Sequence, residues 1–184
     1  TFPDTALETA LRQKTALPTT GPISCTQMQG LNTFSAGGYS GAPGSIESLV
    51  GLQHAVKLTR LVLQWNEIDD VTPLAGLDNL EVLNFDKNHV LDLSPISGLT
   101  NLIEAWFWDN GPIRGADTDG ITNLSPLAGL TNLQVLYISY NNVSDLPPLT
   151  NLTNLRVLFA LGNDISDISP LAGMTQLQAL RLGY

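Results

Sequence analysis

Leucine recurs at a fixed interval along most of the chain, and polar residues alternate with it. The first leucine of each copy follows the previous one after 22 residues, except across one longer interval; these leucines are Leu58, Leu80, Leu102, Leu133, Leu155 and Leu177. Eight residues after the first five of them stand the asparagines Asn66, Asn88, Asn110, Asn141 and Asn163. A repeat of this length predicts a solenoid, whose coils stack because none can bury its apolar edge alone.

The order of residues within one copy predicts the elements of a coil. Apolar residues with a period of two, such as Leu61 and Leu63, predict a short strand with one buried face. The asparagine after the strand is expected to bond the backbone of neighbouring coils through its side-chain amide. A hydroxyl residue before a proline, as in Ser94-Pro95, predicts an N-cap and a short helical turn. The predicted fold is therefore an α/β solenoid with a curved parallel sheet on its concave face and short 3-10 or α turns on its convex face.

Residues 1–45 lack the repeat and are predicted to form a helical N-terminal cap that hides the apolar edge of the first coil. Residues 4–14 have the spacing of an amphipathic helix, and a hydroxyl-capped turn is predicted over 24–29. Residues 31–36 imitate the strand pattern of the repeats, so the first strand of the sheet is expected there. A Gly/Ser-rich loop is predicted to follow over 37–45.

Residues 46–184 are predicted to form the repeat array, with five full repeats and a truncated last one. The third coil carries nine extra residues near 111–119. Asp117 and Asp119 resemble part of a calcium loop, but the first and last ligand positions of that loop hold glycine and proline. A solvated polar turn is therefore preferred, calcium at these two aspartates is the alternative, and no other cofactor is expected. The apolar edge of the last strand is expected to be covered by further chain or by a second copy.

Composition narrows the classes of partner. The formal net charge is -9 and only 14% of the residues are charged, which argues against nucleic acid and anionic membranes because both select basic patches. No run of 18 apolar residues is present, so no membrane span is predicted. The single cysteine, Cys25, permits neither an intrachain disulfide nor a zinc cluster of cysteines, and it is predicted to be half-buried in the cap.

Residues that alternate with the buried leucines are expected to point to the concave face. All three tryptophans of the chain fall at such positions. The predicted partner-binding residues are Arg60, Trp65, Asp86, Trp106, Trp108, Asp109, Tyr137, Tyr140, Phe159 and Arg181. Exposed aromatic rings indicate partner binding, and this interpretation is preferred over the alternative that neighbouring strands stack rings to stiffen the sheet.

Little in the sequence indicates catalysis, so a non-enzymatic protein is predicted. His54 on the convex side and His89 after an asparagine are both expected to be solvated, and no catalytic signature is present. One aspartate recurs at the same position in four coils and is predicted to form turns and caps rather than acid–base pairs; these are Asp70, Asp92, Asp145 and Asp167.

The repeats resemble the 22-residue leucine-rich repeats of bacterial internalin-like proteins. The run N-x-I-x-D-L-S-P-L-x-x-L-T-N is matched nearly residue for residue over 88–101 and 167–177, and the resemblance extends over 46–184. It implies a leucine-rich-repeat solenoid from a bacterial secreted or cell-surface protein. Residues 1–45 match the internalin cap poorly, so no calcium site is carried over from it.

The resemblance and the aromatic face together predict a protein–protein interaction module that holds its partner on the concave face. Two alternatives remain open. The aromatic rings and nearby acidic groups could stack on sugars in a glycan-binding adhesin domain, or the solenoid could be a structural spacer within a larger surface protein. The oligomeric state is also open.

Overall fold

The computed structural model describes residues 2–38, 44–111 and 120–183. Its first element is the α-helix Thr5–Lys14 (α1), which buries Leu7 and Leu11 as the amphipathic spacing predicts. Asp4 caps α1 by accepting hydrogen bonds from two N–H groups of its first turn at 2.7 and 2.8 Å. The same carboxylate accepts from the N–H groups of Glu47 and Ser48. Burial alone would raise the pKa of Asp4, but these four hydrogen bonds outweigh it and lower the pKa.

The predicted second turn is also present, as the short helix Cys25–Gln29 (α2). Ser24 and Gln27 form a capping box, in which each side chain bonds the backbone N–H of the other. Met28 is the buried residue of this helix. The prediction for Cys25 is wrong: its thiol is exposed, because α2 is only five residues long and turns Met28, not Cys25, toward the core.

The described residues form one open sheet in which every strand pairs with its sequence neighbours in parallel. The strands are Thr33–Ser35 (β1), Arg60–Val62 (β2), Val82–Asn84 (β3), Glu104–Trp106 (β4), Val135–Tyr137 (β5), Val157–Phe159 (β6) and Ala179–Arg181 (β7). Opposite the sheet, each coil carries one 3-10 turn; these are Leu52–His54, Thr72–Leu74, Ser94–Ile96, Ser125–Leu127, Pro147–Leu149 and Ser169–Leu171. The predicted solenoid and its first strand are confirmed, whereas the boundary between residues 45 and 46 stays a prediction.

A continuous apolar core lies between the sheet and the 3-10 turns. The repeat leucines are fully buried through most of the array, and Phe34, Phe85 and Phe107 fill the same layer at the strands. At the last coil the burial ends: Ile168 is 55% and Leu180 42% exposed. None of the helices in the described ranges is long and apolar enough to span a membrane.

The convex turns begin differently from the sequence prediction. Ser94 is the first residue of its 3-10 turn, and the preceding Leu93 occupies the cap position without a side-chain bond. Instead, Asp92 accepts a hydrogen bond from the Ser94 N–H at 2.8 Å, at the start of the turn. Hydrogen bonds from the Ser94 hydroxyl and N–H lower the pKa of Asp92. The predicted hydroxyl N-cap is therefore wrong: Ser94 lies within the turn rather than at its cap, and its own N–H bonds the aspartate two residues earlier in an Asx turn.

The same Asx turn recurs where the sequence supplies both partners. Asp70 and Asp167 each accept from the N–H two residues later, and Asn123 replaces the aspartate in the coil with the insertion. Asp145 has no such partner, because the residue two positions on is Pro147, which lacks an N–H. The prediction that these aspartates are turn residues is confirmed for Asp70, Asp92 and Asp167.

The asparagines link successive coils as predicted. Asn88 is 1% exposed. Its Nδ2 donates to the carbonyl oxygen of Leu63 in the preceding coil and to that of Phe85 in its own, at 2.9 and 3.2 Å. Its Oδ1 accepts from the N–H of Ile68. We call the five asparagines that do this the asparagine ladder; they are Asn66, Asn88, Asn110, Asn141 and Asn163.

Candidate functional site on the concave face

The strands turn alternate side chains out of the core. In β3 to β6 the middle residue is buried and the residues on both sides of it are half-buried. The positions predicted to face outward therefore lie on the solvent side of the sheet, which is the concave face of the solenoid. Ser139 is an exception: it is 5% exposed, and its hydroxyl accepts a hydrogen bond from the Leu161 N–H at 3.0 Å.

A first row of side chains, the strand row, crosses the sheet at the ends of β4 to β7. It consists of Trp106, Tyr137, Phe159 and Arg181, which are paired in register. Trp106 and Tyr137 stack with ring centroids 4.3 Å apart, and Tyr137 meets Phe159 edge-on at 4.7 Å. The Arg181 guanidinium lies over the Phe159 ring, 4.8 Å from its centroid. The row closes with a cation on an aromatic face.

A second row, the turn row, lies just beyond the strand ends. It consists of Trp65, Lys87, Trp108 and Tyr140. The Lys87 ammonium lies 5.4 Å from the Trp65 ring centroid and 4.6 Å from that of Trp108, and it forms an ion pair with Asp109. Trp108 then meets Tyr140 edge-on, with centroids 6.1 Å apart. The turn row therefore also carries a cation between aromatic rings.

The backbone is left-handed at three residues of the turn row and at Asp109, which directly follows the fourth, Trp108. The φ angles are +61° at Trp65, +57° at Lys87, +53° at Asp109 and +57° at Tyr140. Gly162 takes the equivalent place in the next coil with φ +62°, and a Cβ there would lie 2.8 Å from the Tyr140 ring. Left-handed backbone at a large residue costs on the order of 1 kcal/mol. Such strain tends to persist at functional positions.

The two rows enclose a cavity of about 280 Å³. Its lining is mostly aromatic and consists of Asp86, Trp106, Trp108, Tyr137, Ser139, Tyr140, Phe159 and Leu161. Ser139 and Leu161 each follow a residue of the strand row by two positions in the sequence. A larger side chain at either position would fill the space between the two rows. The cavity exists because the rings of three coils meet over these two smaller residues.

Asp86 is the one carboxylate in the lining of this cavity. It accepts hydrogen bonds from the Trp108 N–H at 2.7 Å and from the Asn84 amide at 3.3 Å. Burial raises the pKa of Asp86, and these two hydrogen bonds offset only part of the rise. Within the described ranges no lysine, arginine or histidine forms an ion pair with Asp86. The indole N–H of Trp106, another residue of the cavity lining, is buried and has no acceptor among the residues that the structure describes.

The residues predicted to bind a partner differ in their exposure and in their distance from the two rows. Of the aromatic residues, Trp65 is 39% and Tyr140 53% exposed, while the other rings are half-buried by contact with each other. Rings of neighbouring strands therefore do stack, as the alternative interpretation expected, but they also leave an open cavity between them. Arg60 is exposed but belongs to the β2 position paired with Val82, away from both rows. Lys87 belongs to the turn row but is not among the residues predicted to bind the partner; its position 22 residues after Trp65 was the available signal.

The edge beside the insertion contains a contact that the sequence did not predict. His89 was expected to be solvated, but this is wrong. One ring nitrogen lies 2.7 Å from the Glu67 carboxylate and the other 2.6 Å from the Gly111 carbonyl oxygen, so His89 connects three coils. The calcium candidates Asp117 and Asp119 lie outside the described residues. Within the described ranges, no group of three or more histidine, cysteine, aspartate or glutamate residues could hold a metal ion.

Comparisons with known proteins place this geometry in context. Residues 131–172 match the family model of leucine-rich repeats in two copies. No curated protein matches the sequence. The structure is similar to an internalin C2 (inlC2) from Listeria monocytogenes, with a TM-score of 0.68 and 35% identity over 98% of this chain and 84% of that one.

Two further structures are similar. An internalin (inlF) from Listeria monocytogenes has a TM-score of 0.71 and 28% identity over the whole of this chain, which spans 56% of the internalin's length. The leucine-rich-repeat ectodomain of the plant membrane receptor kinase GASSHO1/SCHENGEN3 from Arabidopsis thaliana was solved in complex with CASPARIAN STRIP INTEGRITY FACTOR 2. It has a TM-score of 0.66 and 18% identity over 88% of this chain and 19% of that one, a likeness that shows the fold alone.

Proposed function

The chain belongs to the internalin-like leucine-rich-repeat proteins, and from that premise we propose that it binds a protein partner on its concave face without catalysing a reaction. Leucine-rich-repeat proteins and internalins are interaction modules, and the family is generally non-enzymatic. The finer proposal is that the partner lies across the strand row and the turn row. We further propose a location at the cell surface or outside the cell, as for the internalins it resembles.

The observation that carries the proposal is the pair of aromatic rows with a cavity between them. Tryptophan, tyrosine and arginine are the residues that most often dominate the energy of protein interfaces. The exposed edges of Trp65 and Tyr140 add apolar area around the cavity. These rings contribute nothing to the leucine core, so stacking among themselves explains their contacts but not their presence.

The test is capture of a partner from a detergent extract of cell-surface proteins, with the immobilised wild-type chain and variants compared side by side. Replacing both Trp106 and Tyr137 with alanine removes the stacked pair, and we expect capture to be lost. Because this pair also packs, the variant costs about 1–2 kcal/mol and is checked by urea unfolding. Tyr140→Asn is a milder second variant, since asparagine tolerates left-handed backbone.

The matched control replaces Leu91 and Ile168 with alanine. These side chains are 46% and 55% exposed and belong to neither row, so the control removes exposed apolar side chains elsewhere on the solenoid. Capture that survives in the Trp106/Tyr137 variant, or falls equally in the control, contradicts the proposal.

The two alternative functions give different outcomes in related tests. A glycan-binding domain would bind sugars on a glycan array and lose them with the same aromatic variants. A structural spacer would keep the activity of the full-length protein after the rows are removed. Binding to protein in the absence of array signal separates the proposal from both.

A further inference from the structure

We propose that the cavity between the two rows receives one basic side chain, a lysine or an arginine, of the protein partner, with Asp86 as its counter-charge. The inference rests on the proposed function, because it assigns the chemistry of the group that enters the same face. Three observations support it. Asp86 has no cation beside it among the described residues, Lys87 and Arg181 lie on aromatic rings of the same face, and the cavity has the size of one side chain.

The two aspartates on this face differ in their partners. Asp109 is paired with Lys87, whereas Asp86 has hydrogen bonds but no cation among the described residues. A partly buried carboxylate without a cation is unfavourable, and an incoming positive charge relieves that cost. Within the described ranges, one negative charge at the wall of the aromatic cavity is therefore left without a cation.

The face already shows what its rings accept. Lys87 lies between Trp65 and Trp108, and Arg181 lies over Phe159. All three ring–cation distances are within the range of about 6 Å in which the negative face of a ring attracts a cation. Five aromatic residues line the cavity beside Asp86, and three of them hold no cation among the described residues: Trp106, Tyr137 and Tyr140. A third cation would repeat an arrangement that the chain makes twice by itself.

Size and charge point the same way. A volume of about 280 Å³ lies just below the range of roughly 300–1,000 Å³ that is usual for small-molecule sites. It therefore suits one side chain better than an oligosaccharide. The net charge of -9 favours approach of a basic segment over an acidic one.

The probe is the tripeptide acetyl-Gly-Arg-Gly-amide, compared with its lysine analogue and with its citrulline analogue, which is neutral and nearly the same shape as arginine. Binding is followed by nuclear magnetic resonance through the indole N–H signals of the three tryptophans. We expect the Trp106 and Trp108 signals to shift and saturate with at least one basic peptide. The citrulline peptide should bind at least tenfold more weakly.

Asp86→Asn should weaken binding of the basic peptide at least tenfold. Asp69→Asn, which removes an exposed charge outside the face, should leave it within twofold. Unchanged dispersion of the other signals shows that each variant is folded. Binding should also fall on acidification, because the protonated carboxyl carries no charge. Since burial raises the pKa of Asp86, the loss should occur at higher pH than for an ordinary aspartate.

Three results would overturn the inference: no saturable shift with either basic peptide, equal binding of citrulline, or full binding by Asp86→Asn. These are distinct from failure of the proposed function. If the partner is captured through the aromatic rows and Asp86→Asn captures it equally well, the face binds the partner but the cavity does not receive a cation.

Discussion

The asparagine ladder and the concave face belong to the same coils, yet they differ in how much the residue type varies from one coil to the next. At the ladder, each coil supplies the same residue, and each asparagine makes the same bonds to the preceding coil. At the residue directly before each ladder asparagine, successive coils have tryptophan, lysine, aspartate, tyrosine and glycine. All five of these residues have left-handed backbone. The geometry of the coils repeats at both positions. The side chain is the same in all five coils at the ladder asparagine and different in all five at the residue before it.

The difference separates what the fold requires from what it permits. The ladder residue is repeated because a buried backbone N–H and carbonyl need a partner in every coil. The neighbouring position has no such requirement, and there the chain carries strained, aromatic and charged residues. Departure from the repeat, seen within one sequence, is therefore the better guide to the surface proposed to bind a partner.

Breaking the ladder should give the largest effect on stability. Asn88→Ala leaves the Ile68 N–H unbonded in the core and removes one of the two amide donors at the Leu63 carbonyl oxygen, which keeps its bond from Asn66. We expect the free energy of unfolding to fall by about 2–3 kcal/mol, since one unsatisfied buried group costs about 1–3 kcal/mol and the bonds that the amide donates are lost as well. Urea unfolding measures this.

The control for that change is an asparagine with one bond at the surface. Asn79 donates to the Val56 carbonyl oxygen at 2.8 Å but is exposed, so water replaces the bond and Asn79→Ala should cost less than about 1 kcal/mol. Equal costs at Asn79 and Asn88 would remove the distinction between buried ladder and surface.

Gly162 tests the position where the face is most constrained. Alanine there must adopt φ near +62° and places its Cβ against the Tyr140 ring. We expect a loss of about 1–2 kcal/mol in the free energy of unfolding. Gly173→Ala is the matched control: no atom lies within 4 Å of a Cβ at this convex site. The comparison fails if both alanines are equally tolerated.

The smallest effect should come from the exposed ring of the turn row. Tyr140→Asn removes an edge contact with Trp108 but places a residue that accepts left-handed backbone. The two effects oppose each other, so the free energy of unfolding should change by no more than about 0.5 kcal/mol. A loss like that of Asn88→Ala in urea unfolding would mean that the face holds the fold together.

The repeat made most of the fold predictable. Leucine spacing, the strand positions and the ladder asparagines each follow from one physical requirement that recurs in every coil. Two predictions were wrong. Asp92 bonds the N–H of Ser94, which lies within the turn and not at its cap. His89 finds partners in two other coils. Such partners are set by three-dimensional neighbours that a single copy of the repeat does not show.

The site was predictable as a surface but not as a cavity. Alternation identified the rings of Trp106, Tyr137 and Phe159, since the register of parallel strands is fixed by the repeat. It could not show which rings pack together and which leave space, because that depends on side-chain rotamers and on the size of Ser139 between the rows. It also missed that Lys87 is already held by two tryptophans.

A partner that covers the concave aromatic face should shield its side chains from solvent, and hydroxyl-radical footprinting of the captured complex measures that shielding. Oxidation of side chains is measured by mass spectrometry in the free and the bound chain. We expect Trp108 and Tyr140 to be protected by the partner, with Leu91 and Ile168 oxidised as before. Protection of Leu91 and Ile168 with Trp108 and Tyr140 unchanged would contradict the account and place the partner elsewhere on the solenoid.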